Sequence, residues 1–315
     1  MHNTILITGA YGFVGSNISK FIKNRKDYFL VGLDQAVLPN QYYNECYSWD
    51  NLQKVDWGRL NTIIHLAGKA HDTSNTSDPQ SYFTVNLDLT KIIFDYFLKS
   101  NADKFIFFSS VKAVADTVQA QLLTEDIIPN PLTPYGKSKL AAENYILSKN
   151  IPENKKVYIL RPCMIHGPGN KGNLNLLYKM VQKGIPYPLG RYDNLRSFTS
   201  IENLIYIIHE LIENIIQPGT YLVGDDNPVS TNELIELIAK SLNNKPRIWN
   251  IPPKLIRAIA ASGDILNFPL NSERLKKLTE SYVVSNVKIK SAIGINNLPV
   301  SAKDGLLKTF GSFLN

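Results

Sequence analysis

The first two dozen residues constrain the fold more than any other stretch. A short apolar run, Asn3-Thr-Ile-Leu-Ile-Thr8, enters Gly9-Ala-Tyr-Gly12-Phe-Val-Gly15, and a helix-forming segment follows from about Gly12 to Asn24. A run this short and apolar reads as a strand buried on both faces, the condition of strands in a parallel sheet. The first glycine permits a tight turn, the second lets backbone approach a pyrophosphate, and the third lets the helix pack closely on the strand. The helix N-terminus adds partial positive charge at the same place. The spacing is GxxGxxG rather than the commoner GxGxxG.

A second run, Tyr28-Phe-Leu-Val-Gly-Leu33, ends at Asp34, 19 residues past Gly15. An acid at that offset suits a ribose 2′-hydroxyl. It would repel a 2′-phosphate, and its neighbours Gln35 and Ala36 supply no arginine, so the pattern favours NAD over NADP. The alternation then continues. Residues 61–67, 104–110 and 156–161 read as strands, whereas residues 79–100 and the segment carrying Tyr135 and Lys139 read as helices. This order implies βαβ units and an α/β fold with a doubly wound parallel sheet. After Arg161-Pro162 come a glycine-rich loop, residues 166–173, and a second loop, residues 184–190. Loops beyond the C-terminal ends of parallel strands are where open sheets bind ligands. From about Asn227 the chain reads as helices with short strands, including the amphipathic segment 231–242, and forms a smaller lobe over the substrate.

One constellation carries chemistry. Tyr135-Gly-Lys-Ser-Lys139 puts a phenol and an ammonium four residues apart, on one face of a helix. Ser110, 25 residues earlier, ends a strand-like run and suits the same substrate oxygen. A phenol with an ordinary pKa near ~10 is a poor base at neutral pH. A lysine cation beside it favours the phenolate and permits proton exchange near pH 7. YxxxK alone is weak, since both residues are common on helices; its place in this alternation gives it meaning.

Composition excludes several classes. The 315 residues are 44% hydrophobic and 19% charged, an ordinary soluble balance for one large domain or a domain with an appended lobe. Cys46 and Cys163 lie far apart without CxxC spacing, which argues against a disulfide scaffold or thiolate metal site and suits a reducing cytoplasm. His2, His65, His71, His166 and His209 show no metal-ligand spacing, so no metal is expected. A strand pattern begins almost at once, so no signal peptide is expected, and the most apolar helix, residues 204–216, carries His209, Glu210 and Glu213. No membrane span is expected. The net charge of +7 reads as lysine-rich solvation or as attraction for an anionic substrate; no arginine-rich run points to nucleic acid.

In combination these motifs resemble the extended short-chain dehydrogenase/reductase family, in its NAD-dependent epimerase/dehydratase branch. The matches run in order through Thr8–Gly15, His65-Leu-Ala-Gly68, Asn86, Phe108-Ser-Ser110, Pro134–Leu140, Leu160-Arg-Pro162, His166-Gly-Pro-Gly169 and Leu195-Arg-Ser197. They cover about the first two-thirds; Val229–Leu234 and the stretch from Gly305 match loosely. The resemblance implies a Rossmann-like sheet with NAD bound by residues 1–165 and 197–224, and a sugar-nucleotide lobe of residues 166–196 and 225–315. It implies that Gly9, Gly12 and Gly15 cradle the pyrophosphate, with Phe13 and Val14 also on the cofactor, and that Asp34 holds the adenosine ribose. Leu66, Ala67 and Gly68 line the dinucleotide, and Ser110, Tyr135 and Lys139 form the catalytic trio. Tyr135 and Lys139 also touch the cofactor, Lys139 at the nicotinamide ribose.

For the substrate, the resemblance implies that Asn173 and Arg196 bind a nucleotide diphosphate, probed against plainer roles as a turn residue and a surface salt bridge. Three departures stand out. Lys112 occupies a position where sugar epimerases often carry threonine; its ammonium reaches substrate, biases Tyr135 or points to solvent. Met164 replaces the asparagine of an RPxN motif. Ser-Ser-Val at the strand end lacks the acid of 4,6-dehydratases, which argues against dehydration. The resemblance is to bacterial polysaccharide enzymes, UDP-sugar 4-epimerases and 4-keto-sugar reductases alike. It implies an NAD-dependent 4-epimerase on a UDP-hexose or UDP-N-acetylhexosamine, or a 4-keto reductase, and a homodimer. A non-catalytic dinucleotide sensor is the rival of another class.

Overall fold

A computed structural model of the chain describes residues 3–314, apart from residues 24, 26, 40, 70–77, 119–120, 171 and 267–270. Its strands are β1 (Asn3–Thr8), β2 (Tyr28–Asp34), β3 (Glu45–Ser48), β4 (Thr62–His65), β5 (Lys104–Phe108), β6 (Lys156–Pro162), β7 (Met164–His166), β8 (Leu195–Arg196), β9 (Phe198–Ser200), β10 (Gly219–Val223) and β11 (Val229–Ser230). The helices are α1 (Phe13–Lys23), α2 (Pro79–Phe83), α3 (Leu89–Lys99), α4 (Pro134–Leu147), α5 (Asn173–Gln182), α6 (Ile201–Glu213), α7 (Thr231–Ser241), α8 (Pro253–Leu266), α9 (Ser272–Thr279), α10 (Val287–Ile293) and α11 (Ala302–Gly311).

Seven strands form one sheet in the order β3-β2-β1-β4-β5-β6-β10, and every ladder is parallel. The order reverses between β1 and β4, so the switch point of this Rossmann-like sheet lies beside the glycine loop. Side chains alternate along each strand. Ile5, Ile7, Ile64, Ile106 and Leu160 face α1 and α6, while Leu6, Ile63, Phe105, Phe107 and Ile159 face α3 and α4. Burying each such side chain stabilises by about 1.5–3 kcal/mol, and this two-sided burial is why the strands read as unbroken apolar runs.

A separate core joins Leu174 and Tyr178 of α5, Leu234 and Ile238 of α7, Ile256 of α8, and Leu306 and Phe310 of α11. The chain then mixes the two regions: Ile289 of α10 and Leu298 are buried in the first core, against the sheet.

The seven-stranded sheet gains two edge strands that the residues alone did not announce. The edge strand β3, Glu45-Cys-Tyr-Ser, is half-buried throughout and has no apolar run. The other edge, β10, begins at Gly219 with φ +152°, and only its last three residues are buried. Expected boundaries shrink to 62–65 for β4 and to 104–108 for β5, leaving Ser110 in extended backbone just past its strand. The long helix from Pro79 is interrupted by a π-helical turn, Thr84–Asp88. Asn24, the expected end of the first helix, lies outside the described residues.

No described helix is long and apolar enough to cross a membrane. Among the described residues no cluster of three or more His, Cys, Asp or Glu could hold a metal; His2 and His71 lie outside them.

Candidate active site

The glycine loop has the shape its spacing required. Gly9 takes φ +68°, and a Cβ there would lie 2.9 Å from the Ala67 nitrogen. A Cβ on Gly15 would collide with the carbonyls of Gly9 and Ala10, the latter at 2.8 Å. The loop therefore keeps its backbone bare against the end of β4, with α1 starting at Phe13. The Gly12 amide donates to the Gly9 carbonyl at 3.1 Å, and the Ser16 amide to Gly12 at 2.9 Å. Asp34 stands at the end of β2, its carboxylate clasped by the amides of Tyr11 (2.9 Å) and Gln35 (2.8 Å). The Tyr11 hydroxyl reaches the Leu38 carbonyl at 3.0 Å and pins the following loop. Burial first, then the Cys46 thiol, pushes the Tyr11 phenol up to about 12.

A chain of buried hydrogen bonds fixes the switch point. Thr90 donates its hydroxyl to the Asn86 carbonyl (2.7 Å), so its oxygen accepts from His65 Nε2 (2.9 Å). His65 Nδ1 then accepts from Thr8 (2.7 Å), whose oxygen accepts the Ala67 amide (3.1 Å). The imidazole is neutral in this arrangement, and burial followed by the Lys139 charge holds its pKa down to about 3. These bonds set Leu66, Ala67 and Gly68 against the glycine loop.

Asn86, in the π-helical turn, is fully buried. Its side chain accepts the Lys69 amide at 2.8 Å and donates to Ser138 Oγ at 2.9 Å. π-Helical turns are rare and cluster at functional sites because they re-aim side chains. Gly68 leaves the space that this needs: a Cβ there would sit 2.9 Å from Asn86 Oδ1 and 3.0 Å from Lys139 Nζ.

The trio assembles where α4 meets the end of β5. Thr133 caps α4 by accepting the Gly136 amide, and Pro134 opens the first turn. The Asp116 carboxylate accepts the amides of Leu132 (2.6 Å) and Thr133 (3.1 Å), tying the turn after Ser110 to the start of that helix. Gly136 makes the approach possible, since a Cβ there would collide with the Lys112 carbonyl and lie 2.8 Å from Pro131. Ser110 consequently hydrogen-bonds the Tyr135 phenol, and the edge of Tyr135 meets Tyr82 with centroids 6.2 Å apart. Lys139 points to the same place from one turn on, donating to the Phe108 carbonyl at 2.8 Å. Burial pushes its pKa down to about 8, with Glu143 opposing.

One electrostatic expectation is corrected. A cation one turn away was expected to draw the phenol toward the phenolate. Burial holds Tyr135 above the ordinary phenol value, while the Ser110 hydrogen bond lowers it and the neighbouring Tyr82 phenol raises it.

The expected substrate residues divide. Lys112 neither points freely into solvent nor lies on Tyr135. It donates to the Asp116 carbonyl at 2.7 Å and covers the Tyr282 ring at 4.4 Å. Desolvation lowers its pKa. The Tyr282 hydroxyl is shared between the carbonyls of Val111 (3.2 Å) and Ala115 (2.7 Å), and Tyr282 backbone pairs with Arg196. Lys112 and Arg196 are thereby brought into one neighbourhood, where the Arg196 charge also lowers Lys112. Arg196 donates to the Lys277 carbonyl, and among the described residues its buried Nε has no partner and no carboxylate pairs with it. Asn173 stands apart as the exposed first residue of α5; none of the hydrogen bonds between described residues joins it to Lys112 or Arg196.

Among the contributors that carried no role in the sequence reading are Glu143, Arg161 and Tyr282. A signal existed for the first two, because an arginine closing the apolar run of β6 and a glutamate one turn past Lys139 are charges at positions expected to be buried. Tyr282 gave none.

A family model described as the NAD dependent epimerase/dehydratase family matches residues 5–224. A UDP-glucose 4-epimerase of Vibrio cholerae is 28% identical, over 100% of this chain and 96% of its own. A GDP-6-deoxy-D-mannose reductase of Pseudomonas aeruginosa is 26% identical, over 82% of this chain and 86% of its own. A UDP-glucuronic acid 4-epimerase from Bacillus cereus, solved with NAD, superposes with a TM-score of 0.74 at 21% identity, covering 98% of this chain and 96% of that one. At that identity the likeness is one of fold. The chain belongs to the NAD dependent epimerase/dehydratase family and is an NAD-dependent enzyme of the sugar-nucleotide epimerase/reductase class.

Proposed function

We propose that the enzyme is a nucleotide-sugar 4-epimerase acting on a UDP-hexose or UDP-N-acetylhexosamine through a 4-keto sugar. The observation that carries this reading is the convergence of Ser110, Tyr135 and Lys139 beside the switch point of the sheet. The bare backbone of Gly9 and Gly15 and the clasped Asp34 fit a dinucleotide with a free ribose 2′-hydroxyl. Bound NAD supplies reversible hydride exchange at the sugar carbon. Tyr135 takes the proton of the C4 hydroxyl and later returns it, while Ser110 hydrogen-bonds the same oxygen. Lys139 holds the nicotinamide ribose and provides positive charge beside the phenol.

Residues 166–196 and 225–315 form the sugar-nucleotide lobe in this reading, with α10 returning to the cofactor side. The planar Arg196 guanidinium meets the diphosphate. Lys112 backs it, and Asn173 presents the first turn of α5 to the same group. Exposed Ile92 on α3 and Leu147 on α4 fit a homodimer built from those helices. Free thiols at Cys46 and Cys163 suit the cytoplasm, and surface polysaccharide assembly is the proposed setting.

The second reading is a one-way 4-keto-sugar reductase with Tyr135 as the acid, favoured by the reductase relative. Product NMR over UDP-hexoses, UDP-N-acetylhexosamines and their 4-keto derivatives tests both. Interconversion of 4-epimers with cofactor retained supports the first; net NADH consumption on a 4-keto sugar without such interconversion replaces it with the second. The absence of turnover on every member of the panel would count against both.

A further inference from the structure

We propose that Glu143 is the positioning residue that sets the geometry of the whole trio. It sits on α4, one turn past Lys139 and two past Tyr135, and is 1% exposed. Arg161 of β6 grips it with two bonds, Nε to Oε1 at 3.0 Å and Nη2 to Oε2 at 2.5 Å. Ser109 donates its hydroxyl to the same Oε1. Ser109 is the neighbour of Ser110, and its own amide donates to Leu160 at 2.8 Å, so β5, β6 and α4 meet at one carboxylate. Through Ser109 that carboxylate fixes the approach of Ser110. Through its own helix it fixes the approach of Tyr135 and Lys139.

A buried, bidentate ion pair is an expensive way to hold two elements together, because both ions lose their hydration. Its value is directional: two parallel bonds fix the azimuth of α4 as well as its distance. Apolar contacts such as Ala142 and Ile146, on the same face, hold the distance alone. Charge is the second consequence. Lys139 is faced by Glu143 from its own helix and by His65 from β4, and Arg161 stands behind Glu143. Neutralising Glu143 leaves the Arg161 cation uncompensated near Lys139, which eases deprotonation of the lysine.

This inference rests on the trio being the hydride-transfer site, not on the direction of the reaction. The test measures kcat, KM, the pH profile of kcat and NADH affinity in Glu143→Gln, Ser109→Ala and the double variant Glu143→Gln/Arg161→Gln. The substrate is whichever sugar nucleotide the wild type turns over. A displacement of about 1 Å at reacting groups can cost about 100-fold in rate. Glu143→Gln is expected to lower kcat about 30- to 100-fold, with KM and NADH affinity within about twofold, and to move the alkaline limb of kcat to lower pH. The double variant returns the limb toward its wild-type position but leaves kcat low. Ser109→Ala lowers kcat about 10-fold without moving the limb, and decides the matter should Glu143→Gln fail to fold by circular dichroism. Wild-type kcat in folded Ser109→Ala and Glu143→Gln, or equal losses in kcat and NADH affinity, overturns the proposal. A wild type that turns over no sugar nucleotide overturns the functional reading instead.

Discussion

Ser109, Asn86, Thr90, His65, Glu143 and Arg161 surround the trio, and each finds its hydrogen-bond partner inside the protein. In the second core and the strand beside it, Tyr178 and Tyr192 hydroxyls, Asn194 Oδ1, Asn232 Oδ1 and Arg196 Nε are buried without one among the described residues. The wall around the proposed catalytic trio is thus hydrogen-bonded within the protein itself, as electrostatic preorganisation requires. In the proposed function the second region is the nucleotide side, where binding energy is gained. Changes on the first side should therefore act on rate, and changes on the second on affinity.

The sharpest way to break this division is Tyr135→Phe. It removes one hydroxyl from a wall otherwise left intact, so kcat should fall by about 10³-fold or more while NADH affinity stays within about twofold. Single-turnover kinetics with fluorescence titration of NADH checks both halves. Surviving turnover would remove Tyr135 from the chemistry.

Preorganisation also has a cost that can be measured without substrate. Lys139 has its pKa pushed down to about 8 from 10.5, chiefly by burial. Between those values the unfolded chain binds more protons than the folded one, so stability rises with pH through that window. Below it the folded protein carries a buried ammonium at a cost of about 3 kcal/mol. Cofactor-free Lys139→Met should accordingly be more stable than wild type at pH 7, with the gap closing as pH rises toward 10.5. Urea unfolding at pH 7 and pH 9.5 gives the two gaps, and a gap independent of pH would refute the assignment.

On the other side, Arg196→Ala should raise KM about 10- to 100-fold with kcat within about threefold, the pattern of lost uniform binding. A fall in kcat at unchanged KM would put Arg196 on the catalytic side and dissolve the division.

What the sequence disclosed follows the same line. The glycine loop, Asp34 and the Tyr135–Lys139 pair were legible because each is a short-range pattern whose geometry follows from helical or strand periodicity. Glu143 and Arg161 stood out only as charges at positions expected to be buried; their pairing was not legible, because it joins a helix to a strand and is specified only by the packing of α4 on the sheet. The π-helical turn at Asn86 was equally silent: the spacing of apolar residues survives one inserted residue. Lys112 shows the limit most plainly. Its unusual identity could be read, but its direction is set by Asp116 and by Tyr282, which lies 170 residues further along the chain.

Tyr282 is one place where the two regions touch, and a small perturbation there tests their separation. Its hydroxyl holds the turn after Ser110 through Val111 and Ala115, its ring carries Lys112, and its backbone pairs with the Arg196 strand. Tyr282→Phe keeps the ring, and with it the cation contact, but leaves two carbonyls short of a donor, a loss of about 1 kcal/mol. If the turn is held mainly by Gly136 and Asp116, the variant should lose about that much in urea unfolding and less than threefold in kcat. A tenfold fall in kcat with a similar rise in KM would instead mean that Tyr282 transmits nucleotide binding to the catalytic turn, making rate and affinity two readings of one contact.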